Sequence, residues 1–184
     1  MSKLFVDEIV HASSQGSGTI TLGASGETLD LSNPSTVTLN AAMKNTPAFF
    51  AYLSSNQTLS NDTVTKLTLN TELFDTHNAF DSSTNYRFTV PSGHAGYYSI
   101  SGQMRSNAGA DFDHLNFYIK KNNTDFVFSK CRNEVGETLN ASAVVSLSVG
   151  DYLEIFGYHQ RGSNSDISGG STMTFFTGHK LIGT

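Results

Sequence analysis

The stretch ASAVVSLSVGDYLEIFGYH, residues 141–159, decides the fold. In its first half Ala143, Val145 and Leu147 share one side of an extended chain, while Val144, Ser146 and Ser148 take the other. Successive side chains of a strand point to opposite faces, so this period of two predicts a strand with one buried face. Val149-Gly150-Asp151 then marks a turn, because glycine reaches backbone conformations closed to other residues and aspartate bonds to its own turn. DYLEIFGYH resumes at once as a second strand, and the spacing predicts a tight hairpin through Gly150-Asp151.

Outward from this pair the pattern repeats. PAFFAYLSS, VTKLTLN, NYRFTV, GYYSISGQM, HLNFYIKK, DFVFSK and STMTFFTGHKLI read as strands, with turns at Pro91-Ser92-Gly93, Lys121-Asn122-Asn123 and Ser168-Gly169-Gly170. No segment sustains a helical period. About eight to ten strands over residues 45–184 is the size of an antiparallel two-sheet sandwich, and the fold class is all-β. Periodicity alone leaves a jelly roll and an immunoglobulin-like sandwich both open.

Residues 1–44 differ. They hold a single aromatic residue, Phe5, and strand-like pieces LFVDEIV, GTITL, ETLDL and STVTL divided by Gly, Ser or Asn-Pro. So little apolar volume forms no core of its own. Such pieces are stabilised by stacking, either on copies of themselves or on another surface. Leu4, Val6, Ile9, Ile20 and Leu22 are the side chains expected to anchor this attachment or trimerisation segment. The competing reading is a solvated tail with incidental alternation.

Composition narrows the function. The 184 residues carry a formal net charge of −5, which argues against a nucleic-acid partner and its usual basic face. No stretch approaches the roughly 20 apolar residues of a membrane span, so no membrane insertion is expected. MSKLFVDEIV places Asp7 and Glu8 where a signal peptide would have its apolar core, and the single Cys131 excludes an intrachain disulfide. Synthesis in a reducing cytoplasm is the expectation.

Several pieces in order give a more specific signal. These are Ala48-Phe49-Phe50-Ala51, Asn78-Ala79-Phe80-Asp81 and Tyr86-Arg87-Phe88-Thr89-Val90-Pro91, then Gly96-Tyr97-Tyr98-Ser99-Ile100. Leu147-Ser148-Val149-Gly150-Asp151-Tyr152-Leu153 and Phe176-Thr177-Gly178-His179-Lys180-Leu181 complete the series. Together they resemble the C1q-like domain of the C1q/TNF superfamily. The resemblance implies a jelly roll that forms homotrimers, with one sheet facing the trimer axis and GYYSIS, ASAVVSLS and MTFFTG among its strands. Tyr98, Ile100, Val145 and Phe176 would then be core, and Tyr97, Val144 and Phe175 would point at other subunits. Gly178 would let the last strand pack closely beside the first.

Animal members commonly follow a collagen stalk, and this chain has no Gly-X-Y run. A thin β segment before such a head resembles marine bacteriophage virion proteins, where short VDEIV-type segments precede a variable head. That resemblance implies a virion protein assembled after synthesis in the host cytoplasm. Its partners would be itself and a major capsid protein or tail component. The expected role is capsid decoration or cement. A tail-fibre or adhesin tip binding a host surface glycan or protein is the alternative, as is a lectin-like module with no virion role. Loops 106–114 and 160–170 are the expected binding loops of a tip.

Chemistry is sparse. The six histidines form no H-x-H or H-E-x-x-H pair, and no phosphate loop or G-x-S-x-G elbow is present. Cys131 reads as a small apolar residue near a strand end. The densest polar cluster is Asp111, Asp113 and His114. Calcium occurs in some C1q-like trimers, so Asp111 and Asp113 are the candidate metal ligands, against a solvated loop that binds nothing. No catalytic residue or other cofactor is expected, and the chain does not read as an enzyme.

Overall fold

The structure, a computed structural model, describes residues 44–107, 109, 111–132 and 134–181. The proposed anchoring residues Leu4, Val6, Ile9, Ile20 and Leu22 lie outside the described residues. The strands are β1 (Ala48–Tyr52), β2 (Gln57–Leu59), β3 (Thr65–Lys66), β4 (Thr71–Asp75), β5 (Phe80–Asp81), β6 (Arg87–Thr89), β7 (Gly96–Arg105) and β8 (Asp111–Phe112). There follow β9 (His114–Lys121), β10 (Thr124–Cys131), β11 (Glu134–Val135), β12 (Thr138–Leu147), β13 (Tyr152–Gln160), β14 (Ser165–Ile167) and β15 (Phe175–Lys180).

One sheet has the order β12-β7-β15-β1-β4 and the other β10-β9-β13-β6-β5, with β3 also on β13. Two short pairs, β11-β8 and β14-β2, lie off these sheets, and every pairing is antiparallel. The alternation of the long strands explains the layers. Tyr98, Ile100, Met104, Val145 and Phe176 turn inward from the first sheet; Phe88, Phe117, Ile119, Leu153 and Ile155 meet them from the second. Phe49 stands at the centre, stacked on Phe88 at 4.6 Å and on Phe80 at 5.4 Å, with the Phe176 ring edge-on at 5.1 Å. Burial pushes the Tyr98 phenol up to about 12, and its hydroxyl donates to the His94 carbonyl oxygen at 2.6 Å.

The hairpin expected at Gly150-Asp151 is a crossover instead. The turn is tight, with Asp151 N–H donating to Ser148 O at 3.0 Å and Gly150 at φ +85°. However, β12 pairs along its whole length with β7, and β13 pairs with β9 and β6. Asp151 fixes the crossover by accepting from Asn122 Nδ2, Ser148 N and Lys121 Nζ at 2.8, 2.9 and 3.0 Å. Those donors, the Asn122 amide foremost, hold its carboxyl down to about 2. The apolar sides of β12 and β13 can then face each other across the sandwich, which two strands lying side by side could not do.

VTKLTLN contributes only β3, and the edge strand β4 comes from TELFD beside it. Its register against β1 shifts between Phe50 and Ala51, so its side chains do not alternate cleanly. Strand direction sets two ends. Lys180 N–H donates to Pro47 O, and Ala48 pairs with His179, so β1 begins and β15 ends at one end, the base. Pro91–Gly96 and the Ser148–Asp151 turn lie there too. Tyr52, Arg105 and Gln160 end their strands at the opposite end, the apex.

Gly178 sits opposite Phe49 in the β1–β15 ladder, and a Cβ there would lie 3.0 Å from Phe49 Cε1 and 3.1 Å from Ile100 Cγ2. Gly178→Val is expected to cost about 1–3 kcal/mol by overpacking this contact, measured by chemical denaturation.

Candidate functional site

Beyond the core two surfaces bear on function, and edge strand β10 exposes Phe126 and Phe128 besides. The first is the outer face of the β12-β7-β15-β1-β4 sheet. Tyr97 and Val144, predicted to point at other subunits, are 50% and 58% exposed on it. They are diagonal neighbours, since Ser146 lies opposite Tyr97 and Val144 opposite Ser99. Phe175, the third predicted residue, lies on the same face but in another patch. It stacks on Phe50 at 5.0 Å, and Phe50 meets Phe74 of the edge strand at 6.4 Å. Between the two patches runs a band of hydroxyls: Ser99, Ser101, Ser142 and Thr177. Ser101 and Ser142 share a hydrogen bond of 2.8 Å, and Thr177 donates to Phe49 O at 2.8 Å.

Phe50, Leu73 and Phe74 were missed in the sequence, although a signal for Phe50 was present. Each Phe-Phe doublet, 49–50 and 175–176, places one ring in the core and the other outside, because neighbouring strand residues point to opposite faces. Leu73 and Phe74, exposed by 59% and 48%, sit beside the register shift, where alternation carries no information.

The second surface is the apex. Loops 106–114 and 160–170 are bonded into one structure there. Arg161 Nε donates to Asp111 O at 3.3 Å, Asp113 N to Gln160 O at 2.9 Å, and Asn107 N to Asp166 O at 3.0 Å. The residue 61–62 turn joins them. Asn61 Oδ1 accepts from Arg161 N and Gly162 N at 2.9 and 3.0 Å, and Asn164 Oδ1 accepts from Asn61 N at 3.2 Å. Tyr158 donates its hydroxyl to Asp62, an acceptor that raises the phenol above its ordinary value. The apex is a polar surface held in shape by its own side chains.

Asp111 and Asp113 are both exposed there. The Arg161 guanidinium already donates to the Asp111 carbonyl oxygen, and among the described residues no three His, Cys, Asp or Glu side chains come together to hold a metal. Cys131 ends β10 half-buried against the core. The fold brings together two histidines that are far apart in sequence: the His77 and His94 rings meet edge-on at 4.5 Å. Asp75 accepts from the His77 amide at 3.1 Å, and Asp81 is spent in its own turn, accepting from the Ser83, Thr84 and Asn85 amides, which hold its carboxyl well below the usual range.

No family model matches the chain, and no curated protein matches its sequence. Solved structures do match. Eiger TNF from S. frugiperda superposes with a TM-score of 0.57 at 12% identity, over 73% of this chain and 91% of that one. The globular domain of zebrafish complement 1qA protein gives 0.54 at 20% identity, over 73% and 96%. The phage PRD1 vertex protein P5 gives 0.57 at 14% identity, over 75% and 99%. At these identities the likeness is one of fold: the described residues form a C1q/TNF-like jelly roll.

Asn61 organises the apex through two backbone donors. Asn61→Ala is expected to cost about 1 kcal/mol by leaving them to water, whereas Asn61→Asp keeps both acceptors and most of the stability. Paired denaturation curves of the two variants check this.

Proposed function

We propose that this chain is a homotrimeric phage virion protein of the capsid decoration or cement type. Its head self-associates through the outer face of the β12-β7-β15-β1-β4 sheet, and its first 44 residues attach it to a major capsid protein or tail component. One observation carries the reading: Tyr97, Val144 and Phe74 expose apolar surface on the outer face of this sheet, with Leu73 exposed beside Phe74, and a second copy would cover it. The likeness to a vertex protein, itself a virion part, supports the location. Rotational symmetry suits such a role, since a closed ring matches the local symmetry of a particle.

The apex favours a second reading, a fibre or adhesin tip that binds a host surface glycan or protein. The described chain enters the head at the base, and the polar apex is the opposite end of the head. Its preformed hydrogen bonds would lower the entropic cost of binding.

Mass photometry of the full chain at micromolar concentration is expected to give three chains per particle, and Val144→Arg with Phe175→Arg to give folded single chains. A wild-type monomer overturns the trimer. Ile9→Asp with Ile20→Asp is expected to keep the trimer but abolish its incorporation into particles. Electron microscopy of labelled particles then separates shell from tail.

A further inference from the structure

His159 lies on β13 just below the apex and is fully buried. Its Nε2 is 3.1 Å from the carbonyl oxygen of Leu59 at the end of β2. A carbonyl only accepts, so Nε2 carries the ring proton and Nδ1 presents a bare lone pair. Among the described residues Nδ1 has no hydrogen-bond partner. The Phe112 ring stands edge-on to the imidazole at 5.6 Å, and Leu115 is the cross-strand neighbour. The backbone repeats the tie, with Asp62 N–H donating to His159 O at 2.8 Å.

The charged and titratable groups around it belong to every element of the apex. Arg161 lies two residues on, its guanidinium 5.8 Å from the Phe112 ring centre. Asp62 is held by the Tyr158 hydroxyl, and Asp166 by Thr58 at 2.6 Å. Asp111 and Asp113 are exposed, and His114 pairs with Gln160 one position beyond. None of these groups bonds to Nδ1.

We propose that His159 is a proton-operated latch for the apical surface. Neutral, it ties β2 to β13 beneath the loops. Protonated at Nδ1, it presents an N–H with no acceptor among apolar neighbours and beside a guanidinium. The β2–β14 pair then lifts so that water reaches the ring. The device is a property of the head and does not rest on the virion reading.

The direction in pH follows from linkage. Burial, with Arg161 adding to it, holds folded His159 below its ordinary value of 6.5. The closed apex is therefore fully favoured above about 6.5 and loses its advantage as pH falls through the folded value. Within that window each pH unit shifts the closed-to-open ratio by up to about tenfold.

Hydrogen exchange of the full chain, corrected for intrinsic rates, tests this from about pH 7.5 downward. Protection of residues 57–62 and 161–168 is expected to fall by up to about tenfold per pH unit below about 6.5, while β7 and β12 stay protected. His159→Gln, whose amide can still donate to Leu59 O, is expected to remove that slope. Equal slopes in both proteins, no slope in the wild type, or a loss shared equally by β7 and β12 each overturn the latch. If the variant does not fold, the wild-type ring decides through its nitrogen NMR shifts. An Nε2–H tautomer that titrates below 6.5 supports the latch, and a ring that titrates at or above 6.5 overturns it.

Discussion

The Phe49 ring is the contact on which the sandwich depends. It comes from a central strand of one sheet and stacks on Phe88 and Phe80 of the other, while Phe176 closes on it from the adjacent strand. Removing a ring from such a place costs about 3–5 kcal/mol, a large part of a domain's net stability. The close approach of β15 that permits the stack depends on Gly178 having no side chain. Base and apex are organised around this centre, since β1 and β15 run from one end to the other beside it.

A sandwich built this way has an unavoidable consequence. Each strand that sends one side chain inward sends the next outward, so Phe49 implies Phe50 and Phe176 implies Phe175. On the β10-β9-β13-β6-β5 sheet two outward aromatic rings carry cations, Lys120 lying 4.8 Å from the Phe156 ring centre and Arg87 4.2 Å from that of Tyr152, while Phe126 and Phe128 of edge strand β10 are exposed. Glu154, almost fully buried, pairs with Lys66 there. On the opposite sheet Phe50 meets both Phe74 and Phe175, with Tyr97 and Val144 beyond the hydroxyl band. Both sheets thus expose apolar side chains, and they differ in the cations that lie over Phe156 and Tyr152 on one of them.

Much of this was legible in residue order. The period-two pattern of 141–147 places Val145 and Leu147 inside and Val144 outside, as found, because alternation is a local property of extended backbone. The resemblance carried by Tyr97-Tyr98 and Phe176-Thr177-Gly178 implied that GYYSIS, ASAVVSLS and MTFFTG share one sheet, and β7, β12 and β15 are neighbours in it. Strands of two or three residues, such as β2, β8 and β14, left no pattern long enough to detect. The turn at Gly150-Asp151 was legible as a turn but not as a crossover, since a turn's residues do not say which sheet each flanking strand joins.

The sequence by itself determined the strand faces, the turns and the all-β class, because each depends on neighbours within a few residues. Only the tertiary structure decided that loops 106–114 and 160–170 form one apex, that Phe175 belongs with Phe50 and Phe74 rather than with Tyr97, and that His159 is sealed beneath Leu59 and Phe112. Those arrangements rest on contacts between residues up to 125 positions apart, as in Phe50 and Phe175. The pairing register between strands brings such residues together, and no local pattern encodes that register.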